Sequence, residues 1–424
     1  MAQNSWLIRG ARQLVTLRGP APRRGRQLSE LEIIPDGAVL VQGDRILEVG
    51  SSRRLDNLKQ ARGAEVYEAD GKVVMPGFVD SHTHFVFPAP RPADFGQRYS
   101  KAAALEPGTG TGGVYSTIHV LRETSPRALE LRALHWLRHL AACGTTTVEG
   151  KSGFGLTAAA ELKILRVMQK VNGRPISVVP TFLGAHFPPP EFQLFADEYL
   201  NLVIEDMLPT VRRRRLAEFV DVFCDASGFT LQQTRRVLAA AQALGFDLKL
   251  HADRSTRNGA AALGIELGAV SVDHLDRVND YDLDRLAAAP TIATLLPGVV
   301  FHLASGPYPP ARRLIERGGA VALATGFHPW NSPTLNLQMI LSLACSQMKM
   351  TPAEALAAAT VNGACALRRS AEIGSLEPGK FADLLVLDVG DYREIAYYFG
   401  MNLCLRTMRH GQWISPAPLE DPFA

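Results

Sequence analysis

Cysteines are few in this chain of 424 residues, and they follow no pattern. Cys143, Cys224, Cys345, Cys365 and Cys404 make an odd count of five without a CxxC pair. That excludes a disulfide framework and a zinc-thiolate site, and it points to reduced thiols in a cytoplasmic compartment. Long apolar runs are missing too. Nothing approaches the roughly 18 apolar residues of a membrane span. The opening MAQNSWLIRGARQLVTL has no charged region followed by a long apolar core, so it does not read as a signal peptide. Neither sign of charge is in excess: 45 basic against 42 acidic residues leave a formal +3, with no general pull toward nucleic acid. The basic run Arg212–Arg215 reads as a solvated helix face. A soluble, cytoplasmic protein without nucleic-acid or membrane partners is expected.

What is present is an alternation of apolar strands and amphipathic helices. Hydrophobic content is 46%, ordinary for a globular enzyme. The length suits a barrel of about 250 residues with a smaller satellite domain. Candidate strands are Val73–Asp80, Thr145–Glu149, Ile176–Thr181, Val220–Cys224, Asp247–Leu250, Ala269–Val272, Thr291–Leu295 and Ala320–Ala324. Eight near-continuous apolar runs, most separated by helical stretches, are what a closed (β/α)₈ barrel requires. Helices are expected over Arg127–Ala142, Thr157–Val171, Leu231–Leu244, Asn258–Leu267 and Thr351–Leu367. Short β-type runs lie outside this block: Trp6–Ile8, Leu14–Leu17, Ala38–Gln42 and Arg45–Val49 at one end, Gly374–Asp388 and Thr407–Ile414 at the other. Gly43-Asp44 reads as a hairpin turn, and Gly411 as the tip of another.

The histidines carry the chemistry. His82 and His84 end the first barrel strand in FVDSHTH, and residues two apart on an extended chain point the same way. His186 follows strand three, His251 strand five and His274 strand six, while His328 lies beyond strand eight. Catalytic residues of such barrels come from the C-terminal strand ends, so these six can converge on one mouth. Neutral imidazole suits zinc or iron, which the sequence does not separate. His119, His135, His139, His302 and His410 read as structural.

The block GFVDSHTH resembles the opening signature of the amidohydrolase superfamily. GTTTVEGKSGFGL, TFLGAH, FVDVFCD, VSVDHL, TLLPG, LACSQMKMTPAEALAAAT and GSLEPGKFADLLVLD resemble imidazolonepropionases, and the likeness runs from about Val73 to Gly411. The resemblance implies an α/β fold: a metal-dependent hydrolase TIM barrel over residues 76–369, with a composite β-sandwich built from 1–75 and 370–424. It implies one divalent or trivalent ion, zinc or iron, held by His82, His84 and His251. Water activated there opens the ring of 4-imidazolone-5-propanoate, a small anionic cyclic amide, to N-formimino-glutamate in histidine degradation. Arg91 matches an arginine that pairs with the substrate carboxylate, a task that suits guanidinium. His186 matches a histidine that contacts substrate, and His274 sits in the matching Asp-His pair as a catalytic candidate. Lys151, in Lys-Ser-Gly, reads as a structural ammonium beneath the pocket, and Asp253 and Asp273 as carboxylates that orient histidines. A homodimer is a family-level expectation.

Departures from the pattern cluster at the mouth. Gly326 stands where the family has a strand-eight aspartate, removing a ligand and a general base worth about 10²–10⁴ in rate. Arg254 replaces a glutamate that contacts substrate, Phe154 a tyrosine, His328 an asparagine and Trp330 a glycine; the segment Tyr99–Pro107 lacks the usual Gly and Tyr pattern. Two readings follow. In one, His328 turns in as substitute ligand or base, the chain staying extended from residue 326 to 328 before Pro329, and the enzyme acts on this or another cyclic amide. In the other, the chain is a catalytically impaired pseudoenzyme that binds a ligand. An anion, from substrate or from Asp225 or Asp253, is expected to lie between Arg254 and the ion.

Overall fold

A computed structural model describes residues 5–98 and 114–415; the segment Tyr99–Pro107 lies outside them. Eight parallel strands form the central sheet. They are β1 (Phe78–Asp80), β2 (Thr145–Lys151), β3 (Ser177–Ala185), β4 (Phe219–Cys224), β5 (Asp247–Ala252), β6 (Ser271–His274), β7 (Ile292–Leu295) and β8 (Val321–Leu323). Neighbours in sequence are neighbours in the sheet from β1 to β8. The barrel closes just past the ends of β1 and β8, where Thr83 bridges Phe327 in parallel. There His84 N donates to Phe327 O at 2.8 Å and Gly326 N to His82 O at 3.1 Å. The strands are short, and most of their residues are buried, as strands covered on both faces must be.

The expected strand Val73–Asp80 is two strands. Val73–Pro76 joins the terminal sheet and Phe78–Asp80 the barrel, with Gly77 between them. A Cβ at Gly77 would lie 2.3 Å from Thr146 Oγ1, so only a bare backbone fits where the chain changes sheets. Both termini build one eight-stranded mixed sheet. Leu384–Leu387 pairs antiparallel with Val73–Pro76, and Ser5–Val15 pairs parallel with that same strand. Ile8, Leu14, Val39, Val74, Leu384, Val386 and Met408 fill its own apolar core. Both expected hairpins are present: Gln42 faces Arg45 across Gly43-Asp44, and Arg409 faces Gln412.

The expected helix Thr351–Leu367 is also divided, into Pro352–Ala358 and Val361–Ala366, with Thr360 at φ −128° between them. Thr351 and Glu354 form a reciprocal capping box at its start. Arg212–Arg215 are all exposed, as a solvated helix end should be. Among the described residues no helix is long and apolar enough to cross a membrane.

The junction generates a test. Gly77→Ala is expected to cost about 1–3 kcal/mol by overpacking, read as a lower denaturant midpoint with an unchanged slope. Adding Thr146→Ala removes both atoms within 2.4 Å of the new methyl and is expected to recover part of the loss. Additive losses would show that the contact is not the cause.

Candidate metal centre

Six histidines meet at the C-terminal mouth of the barrel, each at most 6% exposed: His82, His84, His186, His251, His274 and His328. Their rings touch in a connected cluster. His82 lies 4.6 Å from His251 and 5.4 Å from both His84 and His274, centroid to centroid. His251 and His274 are 5.2 Å apart. Nitrogens of His82, His251 and His274 all lie within 4.8 Å of one another. His84 stands one ring further out, stacked on His186 at 5.6 Å and edge-on to His328 at 5.3 Å. The strand ends thus bring together every histidine expected at the mouth.

Two of these rings are oriented from behind. His82 Nδ1 sits 2.6 Å from Asp273 Oδ2, so Nδ1 carries the proton and Nε2 keeps its lone pair, the second-layer carboxylate arrangement of many metal sites. His251 Nδ1 is 3.0 Å from Asp221 Oδ2, an ion-pair distance without hydrogen-bond alignment. His186 Nδ1 lies 2.9 Å from Gly153 O; a carbonyl only accepts, so this nitrogen too is the protonated one. Burial pushes His82, His84, His186 and His274 well below the usual histidine pKa, and neutral rings are the form that ligates.

Beneath the cluster lies a buried ionic network. Lys151 Nζ contacts Asp221 at 2.6 Å, Glu149 at 3.1 Å and Asp273 at 3.4 Å. Lys249 Nζ adds Glu149 at 2.9 Å. Two ammonium groups therefore face three carboxylates, leaving one negative charge under the histidines. Burial opposes ionisation of Lys151, but Asp221, Glu149 and Asp273 outweigh it and raise its pKa. Burial likewise opposes ionisation of Asp221, which His251 and Lys151 overcome to hold its carboxyl below the ordinary range. A cation fits this place: among the described residues His84 and His274 each keep a buried Nδ1 without a hydrogen-bond partner, and the base of the site is net negative.

Some expectations need correction. Asp273 does orient a histidine, but Asp253 does not. Its carboxylate accepts from the backbone N–H groups of Asn258 (3.1 Å), Gly259 (3.1 Å) and Ala261 (3.0 Å), shaping the loop after β5. Asp225 is occupied in the same way by Ala226 N at 2.7 Å and Ser255 N at 2.8 Å. Neither carboxylate pairs with Arg254, which has no carboxylate at ion-pair distance among the described residues and lies 5.9 Å over the Phe223 ring. Arg91, expected to meet substrate, pairs with Asp94 and donates to Thr117 Oγ1 at 2.8 Å. Trp330 lies 5.3 Å from the Arg91 guanidinium and 4.6 Å from that of Arg98. Phe154 packs against His84, His186 and His328 at 5.4, 5.0 and 4.8 Å.

The chain does not stay extended from 326 to 328. Gly326 adopts φ +61°, and a Cβ there would meet Leu296 Cδ2 at 2.7 Å and Val299 Cγ2 at 3.0 Å. His328 forms an isolated antiparallel bridge with Ser332, and its Nδ1 accepts from Trp330 N at 3.0 Å and Asn331 N at 3.1 Å. Sequence reading missed Glu149, Asp221 and Lys249, and also Glu161. Glu161 accepts from Gly153, Gly155 and Leu156 N–H groups at 2.7–2.9 Å and fixes the Phe154 loop. Its signal was an acid in the first turn of the Thr157-capped helix Ala158–Val171.

Comparison with known proteins agrees with this geometry. Residues 102–396 match the Amidohydrolase family. An imidazolonepropionase of Solibacter usitatus is 46% identical over 392 residues, covering 92% of this chain and 93% of that protein. One from Geobacillus kaustophilus is 44% identical, with 96% of each chain covered. Among solved structures, a triazine hydrolase variant superposes with TM-score 0.76 at 18% identity over 96% of this chain and 94% of that one. An adenosine deaminase of Xanthomonas campestris with bound zinc gives 0.68 at 19% identity, covering 97% and 92%. At these identities the superpositions establish the barrel fold.

Two substitutions probe the site. Lys151→Met leaves Asp221 and Asp273 without an ammonium at ion-pair distance, Glu149 keeping Lys249, and is expected to cost about 3–5 kcal/mol, measured by chemical denaturation; a loss below 1 kcal/mol would refute the network. Gly326→Asp is expected to lose about 1–3 kcal/mol through crowding against Leu296 and Val299 and to gain no activity. A variant that is both as stable and faster would overturn the strand-end geometry.

Proposed function

Because the chain belongs to the imidazolonepropionase family of amidohydrolases, we propose that its pocket opens 4-imidazolone-5-propanoate to N-formimino-glutamate, a step of histidine degradation. The observation that carries this reading is the buried group of His82, His251 and His274 nitrogens, mutually within 4.8 Å, above a base bearing one net negative charge. Such a donor set suits a single zinc or iron ion. His82 and His251 would hold it, joined by His274, whose nitrogen lies in the same group, and by His84, the family-expected ligand one ring further out. When bound, an ion of this kind lowers the pKa of water to about 7 and polarises a carbonyl.

The chain's own residues position the substrate. Arg254, with no carboxylate at ion-pair distance among the described residues, receives the propanoate carboxylate; a guanidinium can do so bidentately. His186 donates through Nδ1 to Gly153 O, so its Nε2 accepts, which suits a ring N–H. Phe154 forms the apolar wall against which a flat ring packs. With Gly326 in place of a carboxylate, proton removal from water has no strand-eight base. Turnover is therefore expected to fall about 10²–10⁴ below that of relatives that carry an aspartate there. The protein works in the cytoplasm on a small anionic cyclic amide, without nucleic acid or membrane, and self-associates as a homodimer.

Elemental analysis of the purified protein is expected to find about one zinc or iron per chain, the number a single three- or four-histidine site accommodates. Chelation should abolish formation of N-formimino-glutamate, followed by mass spectrometry, and metal re-addition should restore it. Absence of bound metal after loading, together with absence of ring opening, would sink the reading.

A further inference from the structure

His328 is the pocket histidine whose hydrogen bonds run opposite to the others. Its Nδ1 receives two backbone N–H groups, from Trp330 at 3.0 Å and from Asn331 at 3.1 Å. The loop that aims them is closed by His328 N to Ser332 O at 3.0 Å and Ser332 N to His328 O at 3.3 Å. Ser332 Oγ anchors it further by donating to Thr325 O at 2.7 Å. Both N–H groups donate, so Nδ1 must offer its lone pair and cannot carry a proton. A neutral imidazole has one proton, which then sits on Nε2. An imidazolium would point Nδ1–H at two further donors, which the loop geometry opposes.

From this wiring we infer that His328 is a fixed Nε2–H donor, neither metal ligand nor general base, and that it binds an acceptor oxygen of the cyclic amide substrate. Ligation through Nε2 would require the lone pair that the proton occupies, and Nδ1 is already engaged by the loop. Nε2 has no hydrogen-bond partner among the described residues. The ring is 6% exposed and stands between His84, edge-on at 5.3 Å, and Phe154 at 4.8 Å, where a ring packed on Phe154 would present its oxygens. His186 shows the converse wiring, with Nδ1–H on Gly153 O and Nε2 as acceptor. The two histidines thus offer the pocket one donor and one acceptor, the complement of an amide's C=O and N–H. This replaces the expectation that His328 substitutes for the missing carboxylate.

The substrate half of the inference rests on the hydrolase reading; the tautomer half does not, and the experiments separate them. Histidine-selective ¹⁵N labelling of the zinc-loaded protein, with long-range ¹H–¹⁵N correlation, reports which nitrogen of each ring is protonated. The His328 signal is assigned by its loss in His328→Gln. A bare Nδ1 and protonated Nε2 are expected; a proton on Nδ1, or a bare Nε2, overturns the proposal whatever the activity. Metal content of His328→Phe should equal that of the parent, and a fall in a folded variant would make His328 a ligand. In the ring-opening assay His328→Phe should lose about tenfold in kcat/KM, the worth of one hydrogen bond. His328→Gln, which retains an N–H donor, should recover most of it. Equal kinetics for parent and His328→Phe would remove the substrate contact. Absence of turnover in the parent, with the Nε2 tautomer found, would instead fault the hydrolase reading.

Discussion

The pocket depends on a seam that is not itself a strand pair. β1 and β8 end before they can close the barrel with regular ladder bonds, and closure falls to the segments just beyond them. Gly326 N reaches His82 O, His84 N reaches Phe327 O, and Asp80 takes the Thr325 N–H at 3.0 Å and its hydroxyl at 2.6 Å. The backbone that carries the His-x-His pair is therefore the backbone that shuts the barrel. The Cα positions of the pair cannot shift without opening a ring of eight strands. That couples ligand geometry to global stability, as preorganisation of a site requires. It also explains why Gly326 takes a left-handed turn there: its amide is needed on the histidine side of the seam, and its α-carbon hydrogens face Leu296 and Val299.

Beneath the seam, charge is arranged to favour a cation without burying one unpaired. Isolated carboxylates in this interior would neutralise themselves by shifting pKa. Lys151 and Lys249 keep Glu149, Asp221 and Asp273 within ion-pair distance, and two of those carboxylates stand directly behind His82 and His251. Lys151 thereby helps hold Asp221 and Asp273 ionised, and these two carboxylates hold the imidazoles. A buried network of this kind is weak evidence for stability. Its value here is orientation.

Much of this was legible in the sequence, for reasons that particular residues make plain. The eight barrel strands are short apolar runs, five of which end near histidines, and a period-free apolar run bounded by turns is readable without knowing its neighbours. The split at Gly77 was not readable, because the apolar run continues through it and only Thr146, distant in sequence, forbids a side chain there. The break between Ala358 and Val361 was hidden likewise: EALAAATVNGACAL holds no proline, and its one turn-type pair, Asn362-Gly363, lies inside the second helix and not at the break. Glu149, Lys151, Asp221 and Lys249 sit within apolar strands, where the useful signal was an ionisable residue at an inward-facing position. Reading them as one network needed the barrel's curvature, which brings β2, β4, β5 and β6 to a common axis. Asp253 looked like a histidine-orienting carboxylate because it is two residues from His251; the left-handed turn at Asp253, φ +48°, sends its carboxylate to the loop instead.

The two most conspicuous departures from the family pattern act in the same electrostatic direction. If relatives carry the expected aspartate at 326 and glutamate at 254, Gly326 and Arg254 make the mouth three charges more positive than theirs. The same change favours an anionic ligand at the rim, and burial together with Arg254 keeps His274 and His328 neutral. Neutral rings differ chemically through their tautomers, and here backbone groups set two of them: a carbonyl behind His186, two amides behind His328. In this chain the loops that carry the rings sort proton donors from acceptors.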